Sequence, residues 1–356
     1  MRVGLVCPYS LTVPGGVQGQ VLGLARALRS GGIDARILAP SDGPPPDPAV
    51  TSLGRSIPTA SNGSIAPLAP DVSAQLRTIR ALRDEEFDVV HLHEPICPGP
   101  TVTALLTSDE PMVGTFHRAG ASKAYFFLTP LVRWGARKLD VRVAVSRDAM
   151  TTAKAALGGD YELAFNGVEV ERFAKGDVWP TEAPTVFFVG RHEHRKGLAV
   201  LLEALADVPG DLRVWVAGEG PETNALRTAN ADERVEWLGR IDDDELAARL
   251  RAADVFCAPS LHGESFGVVL LESMAAQTPI VASDLPGYRN VAHPDEHALL
   301  VPPGDPRALA VALRRVLDEP ALVASLVEAG TVRAEEFSMT RLADRYAEIY
   351  ERVARR

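Results

Sequence analysis

The same local pattern opens each half of this chain. Residues 2–7 read RVGLVC, followed by the turn-rich PYSLTVPGG, the periodic VQGQVLGLARALRSGG and the apolar DARILAP. From residue 185 the order returns as TVFFVG, RHEHRKG, LAVLLEALADV and then DLRVWVAG. Short unbroken apolar runs suit parallel strands covered on both faces. Between them, apolar residues recur at helical spacing: Val21, Leu24, Ala25 and Leu28 in the first half, Leu198, Leu201, Leu202 and Leu205 in the second. Strand, helix and parallel strand in that order join by right-handed crossovers. Further strands are expected near FDVVHLH, MVGTFH and VRVAVS, and near RVEWLG, VFCAPS and PIVASD. The pattern predicts an α/β fold of two Rossmann-like, doubly wound parallel-sheet domains.

A length of 356 residues accommodates two such cores. The break is expected in residues 166–184, NGVEVERFAKGDVWPTEAP, which hold no sustained period. The expected domains are residues 1–168 and 169–339. The last segment, about 340–356, carries an apolar stripe at Leu342, Tyr346, Ile349, Tyr350 and Val353, which fits a helix packing back on the first domain. DGPPPDP at 42–48 reads as a stiff surface loop.

Composition removes several classes. No apolar run reaches the ~18 residues of a membrane span. The N-terminus reads as a buried strand and lacks the features of a signal peptide. Cys7, Cys97 and Cys257 are scattered, as core thiols of a reducing compartment are. A net charge of −10 argues against nucleic acid as a partner.

In open α/β sheets ligands bind beyond the carboxyl ends of the strands, so the post-strand loops are where chemistry is sought. HGESFGVVLLESMAAQ, residues 262–277, places Glu264 before a helix and Glu272 inside it. Ser265 fits an N-cap, and Gly263 and Gly267 permit close approach of a ligand. A helix start suits phosphate, and Glu272 two turns on suits ribose hydroxyls. The ligand that matches is a nucleotide diphosphate bearing a polyol. A capped amphipathic helix with one buried, partnered glutamate fits the same residues.

GRHEHRKG, residues 190–197, offers Arg191 and Lys196 to a diphosphate. It also fits an ordinary basic turn. His192 and His194 lack a third metal ligand nearby, so no metal is expected. VPGGVQGQ sets Gly15 and Gly16 at a helix start, either for ligand approach or as a plain tight turn. His117 ends a strand, where it is placed to hydrogen-bond a substrate. His91 and His93 share one face of another strand, as a metal pair or as satisfied histidines.

These motifs together resemble the retaining glycosyltransferases of family 4, which have the two-domain GT-B fold and carry E-x7-E in the second domain, here Glu264 to Glu272. VGLVCPYSLTVPGGVQ, SNGSIAP, HLHEP, TFH, NGV, GESFGVVLLESMAA and VASDLPGYR are similar to the branch of actinobacterial phosphatidylinositol mannosyltransferases. The resemblance runs nearly the full length. It implies a GDP-mannose donor, with no further cofactor and no metal. It assigns the diphosphate to Arg191 and Lys196, with Gly16 and the Ser265, Phe266 and Gly267 turn. Ribose goes to Glu272, and the hydroxyls of the transferred sugar to Glu264 and His117. Tyr9, Gln18, Asn62 and Lys123 match acceptor positions. The resemblance also implies retention without a covalent intermediate.

A phosphatidylinositol acceptor requires peripheral binding to an anionic membrane, from the cytoplasm on the inner face of the plasma membrane. The basic surface expected for it is Arg77, Arg80 and Arg83 on one helix, with Lys123, Tyr125, Phe126, Phe127 and Trp134 nearby. A core helix with solvated basic edges fits as well. Other classes compatible with the motifs are a family-4 enzyme with another sugar and a soluble or different lipid acceptor, a sugar-nucleotide epimerase, and a non-catalytic sensor.

Overall fold

The computed structural model describes residues 1–61, 64–118 and 129–355. In chain order its elements begin with β1 (Arg2–Val6), α1 (Gly16–Ser30), β2 (Asp34–Ala39), β3 (Val50–Ser52), the strands β4 (Ile57–Ser61) and β5 (Ser64–Leu68), α2 (Val72–Glu85) and β6 (Val89–His93). There follow α3 (Pro100–Thr107), β7 (Met112–Phe116), α4 (Thr129–Ala136), β8 (Val141–Ala144), α5 (Arg147–Leu157) and β9 (Glu162–Leu163). After the short α6 (Val170–Ala174) come β10 (Thr185–Val189), α7 (Leu198–Ala204), β11 (Arg213–Ala217), α8 (Thr223–Ala229) and β12 (Val235–Gly239). The chain continues with α9 (Asp243–Ala252), β13 (Val255–Ala258), α10 (Val268–Ala275), β14 (Ile280–Ser283), α11 (Pro286–Arg289) and β15 (Leu299–Val301). It closes with α12 (Pro306–Asp318), α13 (Pro320–Glu336) and α14 (Met339–Ala354).

Two compact units result, Met1–Gly167 with Met339–Arg356, and Val168–Ser338. The first holds a parallel sheet in the order β3-β2-β1-β6-β7-β8-β9, beside the antiparallel pair β4-β5. Residue alternation feeds two cores. Val3, Leu5, Ile37, Val89 and Val113 face α1 and α14, whereas Val6, Leu38, Leu92 and Phe116 join Leu82 and Leu105 on the other side. Gly4 is needed because Phe87 fills the space a side chain would take, 2.8 Å from an added Cβ. The expected stripe of α14 is realised: Tyr346, Ile349, Tyr350 and Val353 are buried in the first unit. Arg345 and Arg352 of α14 both reach Glu162 in β9.

The second unit holds a parallel sheet in the order β12-β11-β10-β13-β14-β15. One face buries Val186, Phe188, Val214, Val255 and Val281 under α7 and α12. On the other, Phe187 meets Trp215 and Phe256 edge-on, and the Arg249 guanidinium lies between the rings of Trp179 and Trp215 at 4.1 and 4.6 Å. Glu245 holds that guanidinium at 2.7 Å.

The segment 166–184, which holds no sustained period, contains the short α6, whose one buried anchor, Phe173, is too little to show as a period. The proline-rich loop at 42–48 lies at the surface; within it Asp47 is buried and paired with Arg29 at 2.5 Å.

Candidate functional site

In the second unit the strand order reverses between β10 and β13, so their trailing loops diverge from neighbouring positions. That is where a doubly wound sheet opens a crevice. The loops are Gly190–Gly197 after β10 and Pro259–Gly267 after β13, and they are tied together. Leu261 N–H donates to Arg195 O at 2.8 Å. Gly197 has φ +68°, and a Cβ there would stand 1.9 Å from Pro259 O, so only glycine lets the two backbones meet.

At the junction Lys196 Nζ lies 2.7 Å from Glu264 Oε1, with Arg195 Nη1 at 3.6 Å. Ser260 Oγ donates to Glu264 at 2.9 Å and is 3.0 Å from Tyr288 Oη. Burial would raise the Glu264 pKa, but the Lys196 charge and hydrogen bond, then Ser260 and Arg195, bring it below its ordinary value. Glu264 is therefore an ionised carboxylate neutralised by the loop cations. Arg191 is exposed and pairs with the buried Glu193 at 2.9 Å; Arg195 holds the other oxygen of that carboxylate at 3.0 Å. Arg195, Ser260, Glu193 and Tyr288 escaped the sequence reading. The third cation of RHEHRK was the one signal available.

The helix start differs from expectation. The cap of α10 is Gly267, not Ser265. Gly267 has φ +95°, and the Tyr288 ring would lie 2.9 Å from an added Cβ, so the turn runs two residues further before the helix opens. Glu272 is thus five residues past the cap, ~7.5 Å along the axis. Phe266, expected near the donor, has its side chain in the core against Phe337, with ring centroids 5.6 Å apart.

Glu272 is partly buried and, among the described residues, makes no ion pair. Burial, and then the Asp243 charge, push its pKa to about 7; Arg172 opposes them and Glu169 adds to them. Arg172 does little for Glu272 because it is paired with Asp243 at 3.0 Å and with Glu169 at 3.7 Å.

In the first unit the reversal falls between β1 and β6. Gly16 opens α1 after the extended Gly15 cap, and a Cβ on Gly16 would meet nothing within 4 Å. Gln18 is buried and donates to Val13 O at 3.1 Å, so its amide nitrogen braces the loop after β1. Tyr9 is largely buried, and burial followed by the charges of Glu94 and Cys97 holds its hydroxyl protonated. His117 N–H donates to Glu94 Oε1 at 2.7 Å, and burial lowers its imidazole to about 4. Asn62 and Lys123 lie outside the described residues, as do Tyr125, Phe126 and Phe127.

The histidines are not paired for metal. His91 bonds Tyr350 Oη at 2.6 Å and Thr115 Oγ1 at 2.7 Å. His192 bonds Thr223 Oγ1 at 2.9 Å against the ring of Trp237, while His194 is exposed. Among the described residues, ligand atoms of His293, Glu296 and His297 lie within 4.8 Å of one another. However, His297 Nδ1 accepts from His293 N–H at 3.1 Å, which leaves the ring proton on Nε2 and that atom unable to ligate.

On α2, Arg80 pairs with Asp84 at 3.2 Å and Arg77 Nη1 donates to Leu53 O at 3.3 Å. Arg83 is exposed. So are Val72 and Leu76, at 69% and 62%, which the sequence reading left out of this surface. Trp134 on α4 is 53% exposed. No helix among the described residues is long and apolar enough to cross a membrane.

Two family descriptions match the chain: Glycosyltransferase Family 4 over residues 14–172 and Glycosyl transferases group 1 over residues 183–319. The chain is 40% identical to the phosphatidyl-myo-inositol mannosyltransferase of Mycobacterium leprae, over 99% of its own length and 97% of that protein. Identity is 38% to the protein of that name from Mycolicibacterium smegmatis, covering 99% and 94%. Among solved structures, sucrose-phosphate synthase from Thermosynechococcus elongatus has the same fold at TM-score 0.76 and 22% identity, covering 99% and 98% of the two chains. Anabaena HepE in complex with UDP and glucose matches at TM-score 0.76 and 18% identity, covering 99% of each chain.

Proposed function

This chain belongs to glycosyltransferase family 4 and is a hexosyltransferase of the GT-B fold, and from that premise we propose that it moves mannose from GDP-mannose to the inositol of phosphatidylinositol. The observation that carries the transfer chemistry is the junction of Lys196, Arg195 and Glu264 at the reversal point of the second sheet. Support for donor sugar and acceptor comes from relatives named phosphatidyl-myo-inositol mannosyltransferase, alike along nearly the whole chain.

In this reading Arg191, Lys196 and Arg195 take the diphosphate, with the Ser265–Gly267 turn and Gly16 lending main chain. The incoming phosphate displaces Glu264 from Lys196, which frees the carboxylate for sugar hydroxyls. Glu272 accepts from the ribose hydroxyls, and His117 hydrogen-bonds an oxygen of the transferred sugar. Tyr9, Asn62 and Lys123 serve the acceptor, while Gln18 shapes its loop. The bond from the anomeric carbon to the diphosphate oxygen breaks as the bond to the inositol oxygen forms on the same face, with retention. The proton of the inositol hydroxyl passes to the departing diphosphate. The loop cations stabilise the negative charge that develops on that group, which is where such groups accelerate a reaction most. No metal cofactor is part of the proposal. The exposed face of α2, with Val72, Leu76 and Arg83, is the proposed contact with an anionic membrane on the cytoplasmic side.

The test is to incubate the protein with GDP-mannose, with and without phosphatidylinositol vesicles, measuring released GDP and the mass of the lipid product. The expected result is acceptor-dependent GDP release and a lipid heavier by one hexose. GDP release that ignores the lipid, or transfer from UDP-glucose in preference, overturns the assignment in favour of another family-4 substrate pair.

A further inference from the structure

We propose that His93 is a positioning residue whose Nδ1–H, donated to His117 Nε2, fixes His117 as the Nδ1–H tautomer and presents a neutral donor to a substrate oxygen. The proposal rests on the reading that His117 touches substrate. His91 and His93 stand two residues apart on β6, so both point to the face covered by α14. His91 is locked there at both ring nitrogens, by Tyr350 Oη and by Thr115 Oγ1. Thr115 Oγ1 is itself 2.8 Å from Tyr346 Oη, so two tyrosines of α14 hold the base of a ladder. The His93 ring lies over His91 with centroids 4.3 Å apart, and over His117 at 5.3 Å with planes 26° apart. Its Nδ1 is 3.0 Å from His117 Nε2.

All three rings are buried, and burial first of all lowers their pKa values, to about 3 for His91 and about 4 for His117. They are neutral at pH 7, so one proton lies in the contact between His93 and His117. Two arrangements exist. If His117 donated, His93 would carry its own proton on Nε2, a buried atom with no hydrogen-bond partner among the described residues. His93 also lines a small cavity together with Leu24, Val145, Leu342, Gln20 and Asn166. A buried N–H with no acceptor is the costlier orphan, because backbone-like donors are rarely left unpaired while bare acceptors are tolerated more often. The proton therefore sits on His93 Nδ1, and His93 Nε2 is bare. His117 then carries its proton on Nδ1, which makes no hydrogen bond among the described residues. It is a fixed donor and not a general base.

Nitrogen-15 NMR of the histidine-labelled full chain at pH 7 reads this directly. The expected result is a His117 with bare Nε2 and protonated Nδ1. His93→Phe keeps a stacked ring but removes the donor, and it should return His117 to the commoner Nε2–H form and lower kcat roughly tenfold. His93→Asn sets an amide N–H near the lost Nδ1–H and should recover most of that loss and the wild-type tautomer. A wild-type His117 protonated on Nε2, or an Asn variant no better than Phe, overturns the proposal. If the tautomer responds as stated while His117→Ala turns over normally, the substrate contact of His117 falls and the control of its tautomer by His93 stands.

Discussion

Glu272→Gln separates two consequences of one buried carboxyl. Burial, then Asp243, raise this group to about 7 in the folded protein, against an ordinary value of 4.5. At ~1.36 kcal/mol for each tenfold change in proton affinity, that elevation amounts to about 3 kcal/mol. A raised acid binds its proton more tightly in the folded than in the unfolded chain. Stability contributed by that proton is complete below about pH 4.5 and is lost as pH rises through about 7. Glutamine is neutral throughout, so the variant should match the wild type near pH 4 and exceed it at pH 8 by up to about 3 kcal/mol. The ligand sees the opposite trend. Ribose hydroxyls bond best to the ionised carboxylate, whose fraction climbs from ~0.1 at pH 6 to ~0.9 at pH 8. Wild-type affinity for GDP should then rise ~tenfold across that range relative to Glu272→Gln. Ionisation of the nucleotide itself cancels in the ratio. Urea unfolding and calorimetric titration with GDP, both at pH 4 to 8 where the protein is folded, make the measurements. A variant less stable than wild type at pH 8, or an affinity ratio flat between pH 6 and 8, refutes the reasoning.

Lys196→Ala is expected to lower transfer ~10²–10³-fold, since it loses a stabilising charge on the leaving group, and to lower the thermal midpoint, since Glu264 keeps only Arg195 and Ser260; a folded variant retaining a tenth of wild-type turnover removes Lys196 from that role. Gly197→Ala forces a side chain into the left-handed region and against Pro259 O, so it should separate the β10 and β13 loops and abolish GDP binding; unchanged calorimetric affinity would show that the junction tolerates the shift. Binding to phosphatidylinositol vesicles should be measurable by sedimentation at low salt, mostly lost near about 0.5 M salt, and reduced by Leu76→Ser with Arg83→Ser, without altering GDP affinity. A wild type that stays in the supernatant at low salt counts against the membrane face of α2.

The sequence alone determined the class of fold. Parallel strands buried on both faces must be short apolar runs, and the helices between them must show a 3.6-residue stripe, so RVGLVC, TVFFVG and their partners announce themselves locally. The same local logic set Arg191, Lys196 and Glu264 in loops after strands, and it marked Tyr346 and Tyr350 as the buried side of the last helix. What only the tertiary structure decided is which loops meet. The strand order that brings β13 beside β10, and so Lys196 to Glu264 across 68 positions, is written in no single segment. The Gly267 cap is set by a ring at Tyr288, outside the helix it starts. Glu272 could be placed inside its helix from the sequence, but its raised pKa comes from depth and from Asp243. His91 finds Tyr350 across 259 residues. Local periodicity encodes how far each residue must be buried, whereas charge state, hydrogen-bond partner and ring tautomer depend on atoms that only the assembled sheet brings within reach.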